Sequence, residues 1–165
     1  MSHRCVFLDR DGVINVKAAP GDYIRRWSEF RLLPGIVDWI ALFNVLDLLV
    51  IVITNQRGVA RGLIRAQDLD EIHRNMVAEL DARRAHIDDV YCCPHELNTC
   101  ECRKPKPGLV LQAKAKWNID LAGSLLIGDT ESDRLLAKQC GMRFVEVANG
   151  SIVRRVAEAR PGPSG

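Results

Sequence analysis

Acidic, hydroxyl and basic side chains stand at the ends of apolar segments in this 165-residue chain. Asp9 and Asp11 follow the first apolar segment, Thr54 ends the second, and Asp129 ends a later one. Carboxylates placed so close together repel one another, and Mg²⁺ held by hard oxygen ligands would remove that repulsion. Thr54 can donate to a phosphoryl oxygen and Lys104 can neutralise its charge, which is the support that phosphoryl transfer requires. These residue types therefore predict a magnesium-dependent phosphoryl-transfer site.

Each of these segments also has a purely structural explanation. Paired aspartates after a strand occur in ordinary turns, a threonine ends many strands, and the GDTESD segment suits a helix N-terminus. Taken singly, these explanations are adequate. Four strand ends that carry matching chemistry in one order favour the functional interpretation.

A second group of chemically active side chains lies in the segment CCPHELNTCEC. Three thiolates and one imidazole suit tetrahedral Zn²⁺, and a site with four protein ligands is structural rather than catalytic. In a reducing compartment, this crowding of cysteines favours a metal over disulfides. We expect the zinc to hold the loop that presents Arg103 and Lys104. The four predicted zinc ligands are Cys93, His95, Cys100 and Cys102.

The elements that would position these residues alternate between apolar strands and helices. The predicted strands span residues 5–9, 48–54, 88–93, 125–129 and 144–147. The predicted helices span residues 35–47, 66–84, 109–117 and 131–140. This alternation predicts an α/β fold with a doubly wound parallel sheet in three layers. Ligands bind such a sheet at the carboxyl ends of its strands, where the polar residues lie.

Composition and charge narrow the class of function. With 47% hydrophobic and 27% charged residues, the chain is globular rather than disordered or fibrous. The net charge of +2 comes from scattered positive residues, so nucleic acid and membrane surfaces are not expected partners. The longest apolar run, LLVIVI, is far shorter than the about 18 residues of a membrane span, and the N-terminus shows no secretory signal. We expect a cytoplasmic monomer with one domain over residues 1–159 and a disordered tail over 160–165.

Four segments resemble the motifs of the haloacid dehalogenase-like phosphohydrolases. They are DRDGVIN, ITNQRGVARG, CRKPKPG and LIGDTESD, and their order and strand placement agree with that family. The resemblance implies the Rossmann-like fold of the family. The segments between the first three strands hold little more than loops and single helices, so we expect no separate cap domain.

The resemblance also implies a role for each motif residue. Asp9 would be the nucleophile that forms an aspartyl-phosphate. Asp11 would act as general acid to the leaving group and then as general base to water. The Mg²⁺ ligands would be Asp9, the backbone carbonyl of Asp11 and Asp129, with Asp133 as a supporting carboxylate. The phosphoryl-binding residues would be Thr54 and Lys104.

Two groups in this family resemble the chain in having a zinc loop followed by an RKPxPG segment. One acts on heptose 1,7-bisphosphate in nucleotide-heptose biosynthesis, and the other acts on histidinol phosphate in histidine biosynthesis. DRDGVIN and TNQ-x-GVARG favour the heptose group. In that case Asn55, Arg61 and Arg103 would contact substrate, and the basic pair could bind a second phosphate.

Other features weaken the assignment of substrate. The four-residue spacer between His95 and Cys100 resembles the histidinol-phosphate group, and Arg57 and Thr130 depart from the pattern of the heptose group. We expect a heptose 1,7-bisphosphate substrate, with histidinol phosphate as the alternative. A more distant alternative is a non-enzymatic zinc-binding interaction module, which would leave the acidic and lysine residues unexplained.

Overall fold

A six-stranded sheet forms the centre of the protein. The computed structural model describes residues 1–148 and 151–156. The strands are β1 (Cys5–Leu8), β2 (Leu49–Asn55), β3 (Asp89–Cys93), β4 (Leu125–Gly128), β5 (Arg143–Ala148) and β6 (Ser151–Val156). They lie in the order β3-β2-β1-β4-β5-β6, and the first five in that order are parallel. The predicted parallel sheet is confirmed. The observed ends of its five parallel strands lie within one residue of the predicted ends.

Helices cover both faces of this sheet. They are α1 (Ile36–Val45), α2 (Ala66–Ala82), α3 (Gly108–Trp117) and α4 (Glu131–Gln139), and a short 3-10 helix spans Trp27–Glu29. Side chains of β1 alternate between two apolar clusters: Leu8 packs in the cluster of α1 and α2, and Phe7 packs in the cluster of α3 and α4. This alternation is the period of a strand buried on both faces. The three-layer, doubly wound architecture is therefore confirmed.

Among the described residues, the edge strand β6 is the one strand that the sequence did not predict. β6 runs antiparallel to β5. Its segment SIVRRV carries two arginines and lacks the continuous apolar run of the inner strands, as is common for an edge strand. The predicted disordered tail at 160–165 lies outside the described residues.

Two further predictions concern what the chain lacks. Residues 9–48 form a loop with the 3-10 helix and α1, and residues 56–88 form a loop with α2, so neither segment holds a separate cap domain. None of the helices in residues 1–148 or 151–156 is long and apolar enough to cross a membrane.

The register of the sheet brings the predicted site residues to one edge. Leu8 of β1 pairs with Val52 of β2 and with Ile127 of β4. Because these strands are parallel, the loops after β1, β2 and β4 leave the sheet at the same side. Lys104 reaches this side from the segment that joins β3 to α3.

Candidate active site

Lys104 lies at the centre of the acidic cluster and is only 4% exposed. Its Nζ is 2.9 Å from Oδ1 of Asp9 and 2.7 Å from Oδ1 of Asp133. It also donates a hydrogen bond of 3.0 Å to the backbone carbonyl of Ile53. Two carboxylates and one carbonyl oxygen therefore surround the ammonium, and opposite charges of this kind are how a buried lysine is tolerated.

The two carboxylates that share Lys104 differ in their tendency to ionise. Burial raises the pKa of Asp9 to about 7; the charge of Lys104 opposes this rise, and that of Asp133 adds to it. Burial also acts to raise the pKa of Asp133, but Lys104 and a hydrogen bond from Thr130 hold it below its usual value. Asp133 is thus the ionised partner of Lys104, and Asp9 is the carboxyl whose ionisation a further cation would favour.

Asp133 is both a helix cap and a member of the site. The Asp133 backbone N–H donates to Thr130 Oγ1 and the Thr130 backbone N–H donates to Asp133 Oδ2, each at 3.3 Å, which forms a capping box at the start of α4. Thr130 Oγ1 also donates to Asp133 Oδ2 at 2.6 Å. A Cβ at Gly128 would collide with Asp133, so the glycine allows α4 to approach β4 closely. The GDTESD segment therefore starts a helix, and the same segment also brings Asp133 into contact with Lys104.

The geometry around Asp129 fits a divalent cation. Oxygen atoms of Asp9, Asp129 and Asp133 all lie within 4.8 Å of one another. Asp129 Oδ1 is buried without a hydrogen-bond partner among the described residues, and Oδ2 is paired with the ammonium of Lys17. Burial raises the pKa of Asp129, and Lys17 opposes that rise. Clustered carboxylate oxygens with an unpaired buried acceptor are the donor set that Mg²⁺ prefers.

A tight turn at Gly12 leaves room for the Asp129 carboxylate. Gly12 adopts φ +88°, and a Cβ there would collide with Oδ2 of Asp129. Only glycine combines that backbone conformation with the approach of the Asp129 carboxylate.

The carboxylate of Asp11 lies in a separate polar cage. Both of its oxygens are 3.0 Å from Arg10 Nη2, Oδ1 also accepts from Asn15 at 2.9 Å, and Oδ2 accepts from Gln56 at 2.7 Å. Burial acts to raise the pKa of Asp11, but Arg10 and the hydrogen bonds of the cage hold it below its usual value. Gln56 also donates to Thr54 Oγ1 at 2.9 Å, so the cage connects Asp11 with the strand end of β2.

The predicted substrate-contacting residues differ in their surroundings. The Asn55 amide donates to the Lys104 carbonyl at 3.1 Å and accepts from the Lys104 N–H at 3.0 Å, so it holds the backbone of that lysine. Arg61 is exposed, whereas Arg103 is partly buried and its Nη1 has no partner among the described residues. A cavity of about 240 Å³ adjoins Asp11 and Asn55. Its lining residues include Asn55 and neither arginine.

The four predicted zinc ligands come together in one cluster. Cys93 Sγ lies 3.6 Å from both Cys100 Sγ and His95 Nδ1, and His95 Nδ1 lies 3.1 Å from Cys102 Sγ. A tetrahedral site with Zn–S bonds of about 2.3 Å has S···S edges of about 3.8 Å, close to the 3.6 Å between Cys93 Sγ and Cys100 Sγ. Burial acts to raise the pKa of Cys100, but hydrogen bonds from backbone N–H groups and neighbouring thiols lower it to about 6. The cluster therefore could hold a metal ion, and all six cysteines are unpaired.

Sequence reasoning missed several polar side chains in this region. His73 on α2 is partly buried, and its Nε2 lies 3.1 Å from Nη1 of Arg10. Arg10 stands within the DRDGVIN motif, so a charged residue between two site aspartates was a signal that could have been used. Nothing local to His73 indicates its contact, which depends on how α2 packs. The remaining missed residues are Asn15, Lys17 and Gln56.

Comparisons with known proteins show which proteins this chain resembles. Residues 101–163 match the family model described as HAD-hydrolase-like. A relative from Rhodopseudomonas palustris, named D-glycero-beta-D-manno-heptose-1,7-bisphosphate 7-phosphatase, is 41% identical over 144 residues, which are 82% of this chain and 78% of the relative. A relative from Campylobacter jejuni, named for the alpha form, is 38% identical over 133 residues, or 81% of this chain and 75% of the relative.

A solved structure extends the similarity to three dimensions. The D,D-heptose 1.7-bisphosphate phosphatase from B. bronchiseptica, crystallised with magnesium and phosphate, is similar at a TM-score of 0.82 and 35% sequence identity. The match covers 89% of this chain and 83% of that chain.

The strand order, the acidic cluster around Lys104 and these similarities define the class of protein. The chain belongs to the haloacid dehalogenase-like phosphatase family and is a phosphatase. Within that family, the relatives compared above are named as phosphatases of D-glycero-D-manno-heptose 1,7-bisphosphate, and both the alpha and the beta forms occur among those names.

Proposed function

We propose that this phosphatase removes the 7-phosphate of D-glycero-D-manno-heptose 1,7-bisphosphate in nucleotide-heptose biosynthesis. The observation that carries the proposal is the buried cluster of Asp9, Lys104, Asp129 and Asp133 in a chain whose relatives are named for that reaction. The cluster supplies the chemistry, and the similarity to the relatives supplies the substrate.

Asp9 is the proposed nucleophile. Its carboxylate attacks phosphorus, the bond from phosphorus to the sugar oxygen breaks, and an aspartyl-phosphate forms. Water then attacks that phosphorus, which releases inorganic phosphate and restores Asp9. Lys104 already contacts Asp9 and is placed to offset the charge that develops on the phosphoryl oxygens. Thr54, at the end of the neighbouring strand, is the proposed hydrogen-bond donor to the same group.

Asp11 is the proposed proton carrier. It protonates the leaving sugar oxygen in the first step and takes a proton from water in the second. Because Arg10, Asn15 and Gln56 favour its ionised form, we expect the hydrogen bond from Asn15 or Gln56 to loosen as substrate enters, while Arg10 keeps the carboxylate in place.

A magnesium ion completes the proposed site. Asp9, Asp129 and the backbone carbonyl of Asp11 would hold it, with Asp133 in support through Lys104. When bound, Mg²⁺ supplies positive charge that neutralises phosphoryl oxygens and favours the ionised form of Asp9.

We also propose that the cluster of Cys93, His95, Cys100 and Cys102 binds one structural Zn²⁺. The loop that carries it is tied to the segment after β2, since the N–H of Gln56 donates to the Cys93 carbonyl at 2.7 Å and the N–H of Ala60 donates to the Pro94 carbonyl at 3.1 Å. Metal analysis of purified protein should find about one zinc per chain, and a strong chelator should lower the melting temperature. Protein that is folded and zinc-free would contradict this proposal.

The test of function is phosphate release with Mg²⁺, comparing heptose 1,7-bisphosphate with histidinol phosphate at matched concentrations. We expect kcat/KM to favour the heptose substrate by about a hundredfold or more. The reverse preference would assign the chain to histidinol phosphate, which the four-residue spacer between His95 and Cys100 favours. Asp9→Asn should be inactive and folded, and activity in that variant would remove Asp9 as nucleophile.

Location and assembly are part of the same proposal. Six unpaired cysteines and a thiol-rich cluster fit a reducing compartment, and we propose a cytoplasmic enzyme. We propose a monomer, which light scattering after size exclusion would test. We do not favour a non-enzymatic zinc-binding module, because such a module would not account for the buried cluster around Lys104.

A further inference from the structure

Arg10 is a fully buried charged side chain that the steps above do not use directly. It has 0% exposure and heads the largest fully buried side chains among the described residues. One terminal nitrogen, Nη2, donates to both oxygens of Asp11, and the other, Nη1, lies 3.1 Å from Nε2 of His73. Arg10 therefore connects Asp11 to α2.

The direction of the contact with His73 follows from chemistry. A guanidinium has five donors, no acceptor and a permanent charge, so Nη1 must donate and His73 Nε2 must accept. The histidine is then neutral, with its proton on Nδ1. Burial, with the charge of Arg10, lowers the pKa of His73 to about 4, in agreement with this form.

α2 is a firm support for this contact. Its buried side chains, among them Ile72 next to His73 and Met76 one turn further on, pack into the apolar cluster that also includes Leu8 of β1. The helix and the strand that precedes Arg10 therefore share one core, which fixes the distance between His73 and the Arg10 guanidinium.

We propose that His73 is a positioning residue that acts through Arg10 on Asp11, a role that rests on the proposed function of Asp11 as proton carrier. Nε2 of His73, as hydrogen-bond acceptor, fixes the orientation of the Arg10 guanidinium. The guanidinium in turn fixes the position of both carboxylate oxygens of Asp11. Proton transfer requires heavy atoms within about 3 Å, so a displaced carboxylate slows the chemical step. His73 is not among the lining residues of the cavity beside Asp11, so we expect its replacement to change KM little.

The test compares His73→Leu, which has no acceptor, with His73→Gln, whose amide oxygen can accept. Ile72→Val is the control, because it removes a methyl group from the same core without touching Arg10. For phosphate release with Mg²⁺, we expect kcat of His73→Leu to fall about tenfold or more, with KM within about twofold of wild type. His73→Gln should recover most of that loss. Ile72→Val should keep the wild-type kcat although its unfolding midpoint in urea decreases.

Two kinetic results would overturn the proposal. One is a kcat for His73→Leu equal to that of Ile72→Val. The other is a folded His73→Gln variant that recovers no activity relative to His73→Leu. If heptose 1,7-bisphosphate is not hydrolysed but another phosphomonoester is, the proposed substrate fails, and the same three variants test His73 with the substrate that works.

Nitrogen-15 NMR of the histidine rings tests the contact without any substrate. In wild type near neutral pH, His73 should show a protonated Nδ1 and an unprotonated Nε2. A protonated Nε2 would overturn the proposal whatever the enzyme hydrolyses, because Arg10 would then have no acceptor on that ring.

Discussion

Replacement of Lys104 by methionine is the sharpest test of how the acidic cluster is held together. Methionine has a similar length but no charge, so the variant leaves Asp9, Asp133 and the Ile53 carbonyl without the ammonium that contacts all three. The lysine side chain is 2% exposed and that of Asp133 is 0% exposed, so water cannot replace the lost partner without rearrangement.

The expected loss of unfolding free energy is about 4 kcal/mol, because removal of one partner from a buried ion pair costs about 3–5 kcal/mol. The loss should also grow as pH rises. Without Lys104 the pKa of Asp133 in the folded state rises above that of the unfolded chain, and the pKa of Asp9, already raised to about 7, rises further. The unfolded chain then releases protons that the folded variant retains, so stability falls with increasing pH until the carboxyls ionise in the folded state.

The assay is urea unfolding at several pH values without divalent cation, alongside phosphate release with Mg²⁺. Lys116→Met is the matched control, because Lys116 also pairs with an aspartate at 2.8 Å but is 60% exposed. Such an exposed pair contributes about 0–1 kcal/mol to the free energy of unfolding. Activity of Lys104→Met should fall at least about a hundredfold. If Lys104→Met is no less stable than Lys116→Met at any pH, the ammonium does not hold the carboxylates and the argument fails.

Three further predictions follow from other contacts. As pH is lowered from about 7 to about 5, the unfolding free energy of wild type should fall by about 2 kcal/mol more than that of His73→Gln. The reason is that the pKa of His73 is about 4 in the folded protein, so only the unfolded chain takes up the proton in this range. Urea unfolding that shows the same pH dependence for both proteins would contradict this. Lys17→Gln should bind Mg²⁺ about threefold to tenfold more tightly by calorimetry, since the ammonium competes for Asp129; an unchanged affinity would exclude that competition. Gly12→Ala should lose activity by about tenfold or more, because its Cβ meets Asp129 at φ +88°; Gly62→Ala, at φ +69° with nothing within 4 Å of its Cβ, is the control and should stay active.

The strands illustrate what could be predicted from local pattern. Residues 48–54 were predicted as a strand and β2 spans Leu49–Asn55, because a strand buried on both faces has a continuous apolar run. β6 has no such run, because an edge strand does not have to be apolar on both faces. Its pairing with β5 depends on where the chain turns back.

The site residues divide in the same way. The residue types, order and spacing predicted that Asp9, Thr54, Lys104 and Asp129 lie at one edge of the sheet, because parallel strands carry their carboxyl ends there. The position of Arg10 between two aspartates offered a signal of a charge contact, but the sequence could not indicate that Asn15 and Gln56 complete the cage around Asp11, since that depends on how the loops after β1 and β2 meet.

The sequence by itself thus determined the fold class, the family and the two groups of candidate ligands, because apolar periodicity and motif spacing are local properties of the chain. The tertiary structure decided which carboxylate Lys104 contacts, how far each group is removed from water, and that His73 reaches Arg10 across 63 positions of sequence. The burial and the charge partners of a side chain depend on residues from several helices and strands. For His73 and Arg10, those residues come together only when α2 packs on the sheet.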